Sequence, residues 1–204
     1  LVSIILYRSH TKELIMVRGH STTPLTDEAF EELALRDPEG QWELWEGGPR
    51  RKPSMTFPHN NVTDNLAYAL MCQLDRQIYR VRNNKGHVRR PRRNYFIPDV
   101  FVVPAALFHR IQHDFDHLET YTEPLPLVVE VLSRTTRRYD VSAKLDEYRR
   151  RGDREIWFID PKARTLTAWQ YQDDQTYQQI TSHTEAIVPL ALPGVSILLE
   201  ELFE

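Results

Sequence analysis

The chain has 204 residues, 41% hydrophobic and 27% charged, with a formal net charge of −3. That size and composition suit one soluble domain with a two-sided core, and the negative balance excludes a general nucleic-acid coat protein. The lone cysteine, Cys72, excludes an internal disulfide framework and a paired-cysteine metal site.

The apolar runs Leu1–Leu6 and Leu14–Val17 are too short to span a membrane. A secretory signal would carry its positive charge before such a run, whereas Arg8, Lys12 and Arg18 follow here. A cytoplasmic protein that meets no membrane is therefore expected. Residues 1–25 are an N-terminal extension without assignment, and residues 26–204 read as one domain.

Thr26 can cap a short helix through Asp27–Leu33, whose acids favour the helix dipole. Asp37-Pro38-Glu39-Gly40 is a turn, and Trp42–Glu46 alternates like a half-buried strand ending at Gly47-Gly48. Apolar residues recur at helical spacing from His59 to Tyr79, which predicts a long core helix entered after Pro58. Arg76 to Arg93 holds eight basic residues and no acid, with a turn at Asn83–Gly86. Tyr95–Val103 reads as a strand interrupted at Pro98, and 104–126 shows no clear period.

Leu127–Leu132 is almost continuously apolar, the pattern of a strand buried on both faces. Asp140–Arg151 is predicted as a helix ended by Gly152, with Val141, Leu145 and Tyr148 as its apolar stripe. Glu155–Pro161 is a further buried strand, and 165–171 with 177–182 form a hairpin pair. This order implies an α/β fold with a mixed central sheet flanked by helices.

One charge stands out. Glu130 interrupts a buried strand, where an ionised carboxylate persists only with compensation. It is either paired with an arginine, placed where the strand reaches the sheet edge, or part of a functional site. Asp99 follows Pro98, so its strand is bent beside the carboxylate. Two carboxylates on neighbouring strands can share one Mg²⁺, an ion that takes oxygen ligands. Lys144 shares a helix face with Asp140 and Tyr148, either pairing with Asp140 or reaching the rim of the core. His109, His113 and His117 fall at i, i+4 and i+8, but they complete no zinc motif.

Pro98-Asp99, the run Glu130-Val131-Leu132-Ser133 to Lys144-Leu145-Asp146-Glu147-Tyr148, and Glu155–Pro161 together resemble the Uma-type restriction endonucleases of the PD-(D/E)xK superfamily. Trp42–Gly47 and Pro58-His59 also fit that family's opening pattern. The resemblance extends from about Thr26 to the C-terminus. It implies a restriction-endonuclease-like fold and a hydrolase that cuts phosphodiester bonds with Mg²⁺ or Mn²⁺. By it, Asp99 and Glu130 are metal-binding acids, and Lys144 replaces the superfamily lysine, whose usual position holds Leu132. Glu43, His59 and Tyr148 match supporting positions of the family.

The implied partner is DNA, with RNA as an alternative substrate, and a homodimer if both strands are cut. Arg89, Arg90, Arg92 and Arg93, with Arg134, Arg137 and Arg138, are the expected phosphate contacts. A competing reading, favoured by Leu132 and the acidic net charge, is a nuclease-fold binding or interaction module with weak or lost catalysis.

Overall fold

The computed structural model describes residues 5–6, 16–17, 24–91, 94–133, 140–183 and 186–204. Two short strands, β1 (Ile5–Leu6) and β2 (Met16–Val17), pair antiparallel near the start. Helix α1 (Asp27–Arg36) begins where expected: the Thr26 side chain accepts a hydrogen bond from the Ala29 N–H at 3.2 Å. A 3₁₀ turn at Pro38–Gly40 leads into a hairpin of β3 (Trp42–Trp45) and β4 (Gly48–Arg51).

Helix α2 (Phe57–Gln73) carries Pro58 in its first turn, where the missing N–H costs nothing. It buries His59, Val62, Thr63, Leu66, Ala67 and Leu70, three or four residues apart. The helix stops at Gln73 rather than continuing to Tyr79. Leu74 is extended, and Asp75 starts a turn that accepts from the Ile78 and Gln77 N–H groups. Tyr79 instead opens β5 (Tyr79–Asn83), so part of the basic stretch read as loop is an edge strand.

The remaining strands are β6 (His87–Val88), β7 (Val100–Pro104), β8 (Thr120–Tyr121), β9 (Leu127–Val131), β10 (Glu155–Asp160), β11 (Thr165–Tyr171), β12 (Tyr177–Ser182), β13 (Ala186–Ile187) and β14 (Ile197–Leu198). Six of the strands form the central sheet in the order β12-β11-β10-β9-β7-β5. Within it only β9 and β10 pair in parallel; the other neighbours are antiparallel, so the sheet is mixed. β9 lies inside the sheet and is buried along its whole length, as its apolar run requires.

The expected strand from Tyr95 to Val103 is two segments. Tyr95 bridges to Leu44 and Phe96 to Val88, outside the central sheet, and β7 begins only at Val100. Pro98 sits at the change of direction, where its absent N–H leaves no ladder bond to lose. Region 104–126 contains helix α3 (Ala105–Ile111) as well as β8. Because α3 ends at Ile111, His113 and His117 do not continue a helix face with His109.

The sheet packs on both sides. Leu127, Val129, Val131, Val100 and Val102 meet α2 and the C-terminal residues Leu192, Val195, Leu199 and Leu202. Alternate residues Val128, Phe101, Val103 and Phe158 meet Phe96, Tyr121 and Tyr148 on the other side. By the same alternation Glu130 belongs to this second face. Tyr148 lies on helix α4 (Leu145–Arg151), which is entered through a wide π-type turn at Asp140–Lys144 and ends at Gly152 with φ 77°. The π turn replaces the regular start predicted at Asp140, and Val141 is exposed rather than part of the apolar stripe.

Candidate active site

The register of β7 on β9 pairs Val100 with Val129. One step further places Asp99 opposite Glu130, at the end of the strand pair. Both carboxylates are buried, at 1% and 2% exposure, as are Glu43, His59 and Lys144. The structure therefore gathers the expected acids, lysine and supporting residues into one region.

Lys144 is the centre of one half. Its ammonium lies 2.9 Å from Glu43 Oε1 and 3.1 Å from the Glu130 carboxylate. The Tyr148 hydroxyl donates to Glu130 Oε1 from the next turn of the same helix. Lysine and tyrosine four residues apart thus both reach one carboxylate on β9. Glu43 also accepts from the Ile97 N–H at 3.0 Å, which ties the β3–β4 hairpin to the bent segment before β7. The Lys144 ammonium stands 5.8 Å from the Phe96 ring centre, an apolar wall on one side.

Asp99 is the centre of the other half. Its Oδ2 accepts from the Val131 N–H at 2.7 Å and from His59 Nε2 at 3.2 Å. The His59 proton is assigned to Nε2 because an ionised carboxylate only accepts. His59 Nδ1 is buried with no hydrogen-bond partner among the described residues. Asp99 Oδ1 lies 2.8 Å from the Lys52 ammonium. Burial pushes the Asp99 carboxyl up, but Lys52, the hydrogen bond and charge of His59, and Lys144 outweigh it. The group is held well below the usual carboxylate range and stays ionised.

Lys52 was not singled out from the sequence. It follows Arg50 and Arg51 at the end of a strand the sequence pattern did not disclose, and no periodicity marks it. Its ammonium also donates to Asn84 Oδ1 at 2.7 Å and to the Ile97 carbonyl at 3.0 Å.

The donor set can be tested against a divalent cation. Glu43, Asp99 and Glu130 supply oxygen atoms suited to Mg²⁺ or Mn²⁺. They share the ammoniums of Lys52 and Lys144, so this group of five carries one carboxylate more than it has lysines. Carboxylate oxygens gathered at one strand end are the donor type that such a cation takes. As arranged, however, ammoniums stand against the acids, and no group of three or more His, Cys, Asp or Glu is set to hold an ion among the described residues.

The expected phosphate contacts divide. Arg89 is turned inward at 6% exposure, which corrects its reading as a surface contact. Its guanidinium pairs with Asp27 at 2.7 Å, bonds the Tyr95 hydroxyl and lies 4.0 Å over the Tyr95 ring. A buried guanidinium needs such partners, and they leave it no face for solvent. Arg90 is partly exposed and holds Glu147 through two bonds of 2.8 and 3.1 Å. Arg92, Arg93, Arg134, Arg137 and Arg138 lie outside the described residues.

A mixed sheet flanked by helices, with buried acids and a helix lysine at one end of its central strands, defines a nuclease-type α/β protein. The family described as "Uma2: Putative restriction endonuclease" matches residues 27–200, and the chain belongs to it. A solved structure similar to it is that of "a putative nuclease belonging to DUF820" from Anabaena variabilis ATCC 29413, 18% identical. The match covers 88% of this chain and 98% of that one, with a TM-score of 0.70, and it supports the fold. No curated protein matches the chain. No helix among the described residues is long and apolar enough to cross a membrane.

Proposed function

We propose that the protein is a divalent-metal-dependent endonuclease that hydrolyses phosphodiester bonds of DNA. The observation that carries this reading is Lys144: a buried lysine from a helix, seated on Glu130 and Glu43, in line with the family pattern. Asp99 and Glu130 would hold the metal, with Mg²⁺ the expected ion and Mn²⁺ an alternative. Such an ion, when bound, polarises a phosphoryl oxygen and lowers the pKa of a bound water. Lys144 would neutralise charge developing on the phosphate as the bond breaks. Tyr148 and the Val131 N–H orient the two acids, and His59 fixes the Asp99 carboxylate from the α2 side.

DNA would be held through its phosphates by arginines around the site. A homodimer would bring two such sites to one duplex and allow both strands to be cut. The decisive experiment is plasmid nicking with Mg²⁺ or Mn²⁺ by the wild-type protein and Asp99→Ala, with single-stranded RNA assayed in parallel. Metal-dependent nicking lost in Asp99→Ala supports the reading. Cleavage of RNA alone overturns DNA as the substrate.

The second reading, a nuclease-fold binding module without catalysis, is favoured by one observation: Lys52 sits on Asp99, where a metal would be expected. DNA retention at low salt without cleavage under any metal would support that reading.

A further inference from the structure

We propose that Lys52 is a resident counter-ion that a divalent cation must displace from Asp99, and that this lysine therefore sets the affinity of the site for metal. The inference rests on the reading of the site as a metal centre. It begins from how Asp99 is used. Oδ2 takes the Val131 N–H and His59 Nε2, both fixed by the sheet and helix. The partner of Oδ1 is the Lys52 ammonium, carried on a flexible side chain. Any ion binding through Oδ1 meets that ammonium first.

The Lys52 seat is built from several elements. Its own N–H donates to the Gln41 carbonyl at 3.0 Å, and its ammonium to Asn84 Oδ1 and the Ile97 carbonyl. Gln41 and Asn84 both have positive φ, 44° and 50°, in the left-handed region that residues with a side chain rarely occupy. Gln41 Nε2 in turn reaches the Asn84 carbonyl at 3.4 Å, and the Asn84 N–H donates to the Asp99 carbonyl at 2.8 Å. Strained backbone of this kind persists where surroundings enforce it.

The three ammonium contacts are unequal. Two are to neutral oxygens, and one is to a carboxylate. On losing Asp99 to an incoming cation, the ammonium keeps Asn84 and Ile97, so it has a place to stay. Lys144 differs, because it stands on two carboxylates, Glu43 and Glu130. Removing Lys52 takes one positive charge away from Asp99 Oδ1, which favours a divalent ion there.

Titration calorimetry of Mn²⁺ into the wild-type protein, Lys52→Met and Asp99→Asn tests this directly. Lys52→Met is expected to bind Mn²⁺ more tightly by on the order of tenfold or more. Its melting temperature should also rise further on adding Mn²⁺ than that of the wild type. Asp99→Asn should lose the binding. If Lys52→Met does not fold, Lys52→Gln, which keeps an N–H donor without the charge, should shift affinity the same way. The wild-type protein offers a further check by carbon-13 spectra of its five lysines. On adding Mg²⁺ the Lys52 Cε signal should move while those of exposed Lys85 and Lys162 stay fixed.

Mn²⁺ binding that is equal or weaker in Lys52→Met, or an unmoved Lys52 signal in a protein that binds Mg²⁺, overturns the role of Lys52 and leaves the metal reading standing. Absence of binding in the wild type and both Lys52 variants overturns the metal reading, and this inference with it.

Discussion

Two of the places where the molecule buries charge treat it differently. At Arg151 the guanidinium holds Asp153 at 2.9 Å and donates to the carbonyls of Arg89, Tyr121 and Glu123. Asp153 also accepts from the Leu125 N–H at 2.8 Å. One cation meets one carboxylate, and the remaining bonds run to backbone, so the pair is closed. At Asp99 and Glu130 the cations are two long lysines that stand chiefly on side chains, with one bond from Lys52 to the Ile97 carbonyl. Charge bonded to backbone fastens loops together; charge bonded to movable side chains is the kind of arrangement the proposed metal site calls for.

The largest effect should come from the closed pair. Arg151→Met leaves Asp153 without its cation and takes the guanidinium from three carbonyls, and should cost about 3–5 kcal/mol of stability. Chemical denaturation measures it, and added Mn²⁺ should raise wild type and variant alike and leave the difference between them unchanged. A loss below about 1 kcal/mol would erase the distinction between the two places.

Tyr148→Phe probes the open site more gently. It removes one hydroxyl from Glu130 and keeps the ring in the core, so stability should fall by about 1–2 kcal/mol. On the proposed function, cleavage should fall by about 10- to 100-fold in kcat with KM little changed, because the tyrosine hydroxyl holds the Glu130 carboxylate. Equal effects on folding and KM, with kcat preserved, would make the tyrosine a packing group alone.

The smallest effect concerns His87, a third buried ionisable group. Burial pushes its ring pKa down, against the Trp42 carbonyl it bonds at 2.9 Å and the nearby Glu43 and Glu119. The unfolded ring takes up a proton near 6.5, and the folded ring only at lower pH. Stability present at pH 7 is therefore lost as pH falls below that value. His87→Gln should flatten that slope in denaturation curves taken above and below that value.

These contrasts bear on what could be read from residues alone. Glu130 was legible because an acid in an apolar strand has few explanations, and β9 is the strand its pattern implies. The Thr26 cap and the 165–182 hairpin were legible for the same reason: local chemistry decides them. The end of α2 was not, because Ile78 continues the helical spacing while the Asp75 turn breaks it. Arg89 and Arg151 could not be told from surface arginines, since their partners come from distant segments. Lys52 was hidden most fully, because its meaning depends on Asn84, Ile97 and Asp99 arriving beside it.

The wide turn at Asp140–Lys144 has a consequence for how this site can vary. A π-type turn holds one residue more than an ordinary helical turn, which offsets the angular phase of the succeeding helix by about 100°. Lys144 stands where that offset ends, and Tyr148 follows one turn later. The turn thus uncouples the aim of these two side chains from the length of chain between β9 and α4. Insertions and deletions upstream can be absorbed there, while loss of one residue within it would swing the lysine off both carboxylates at once.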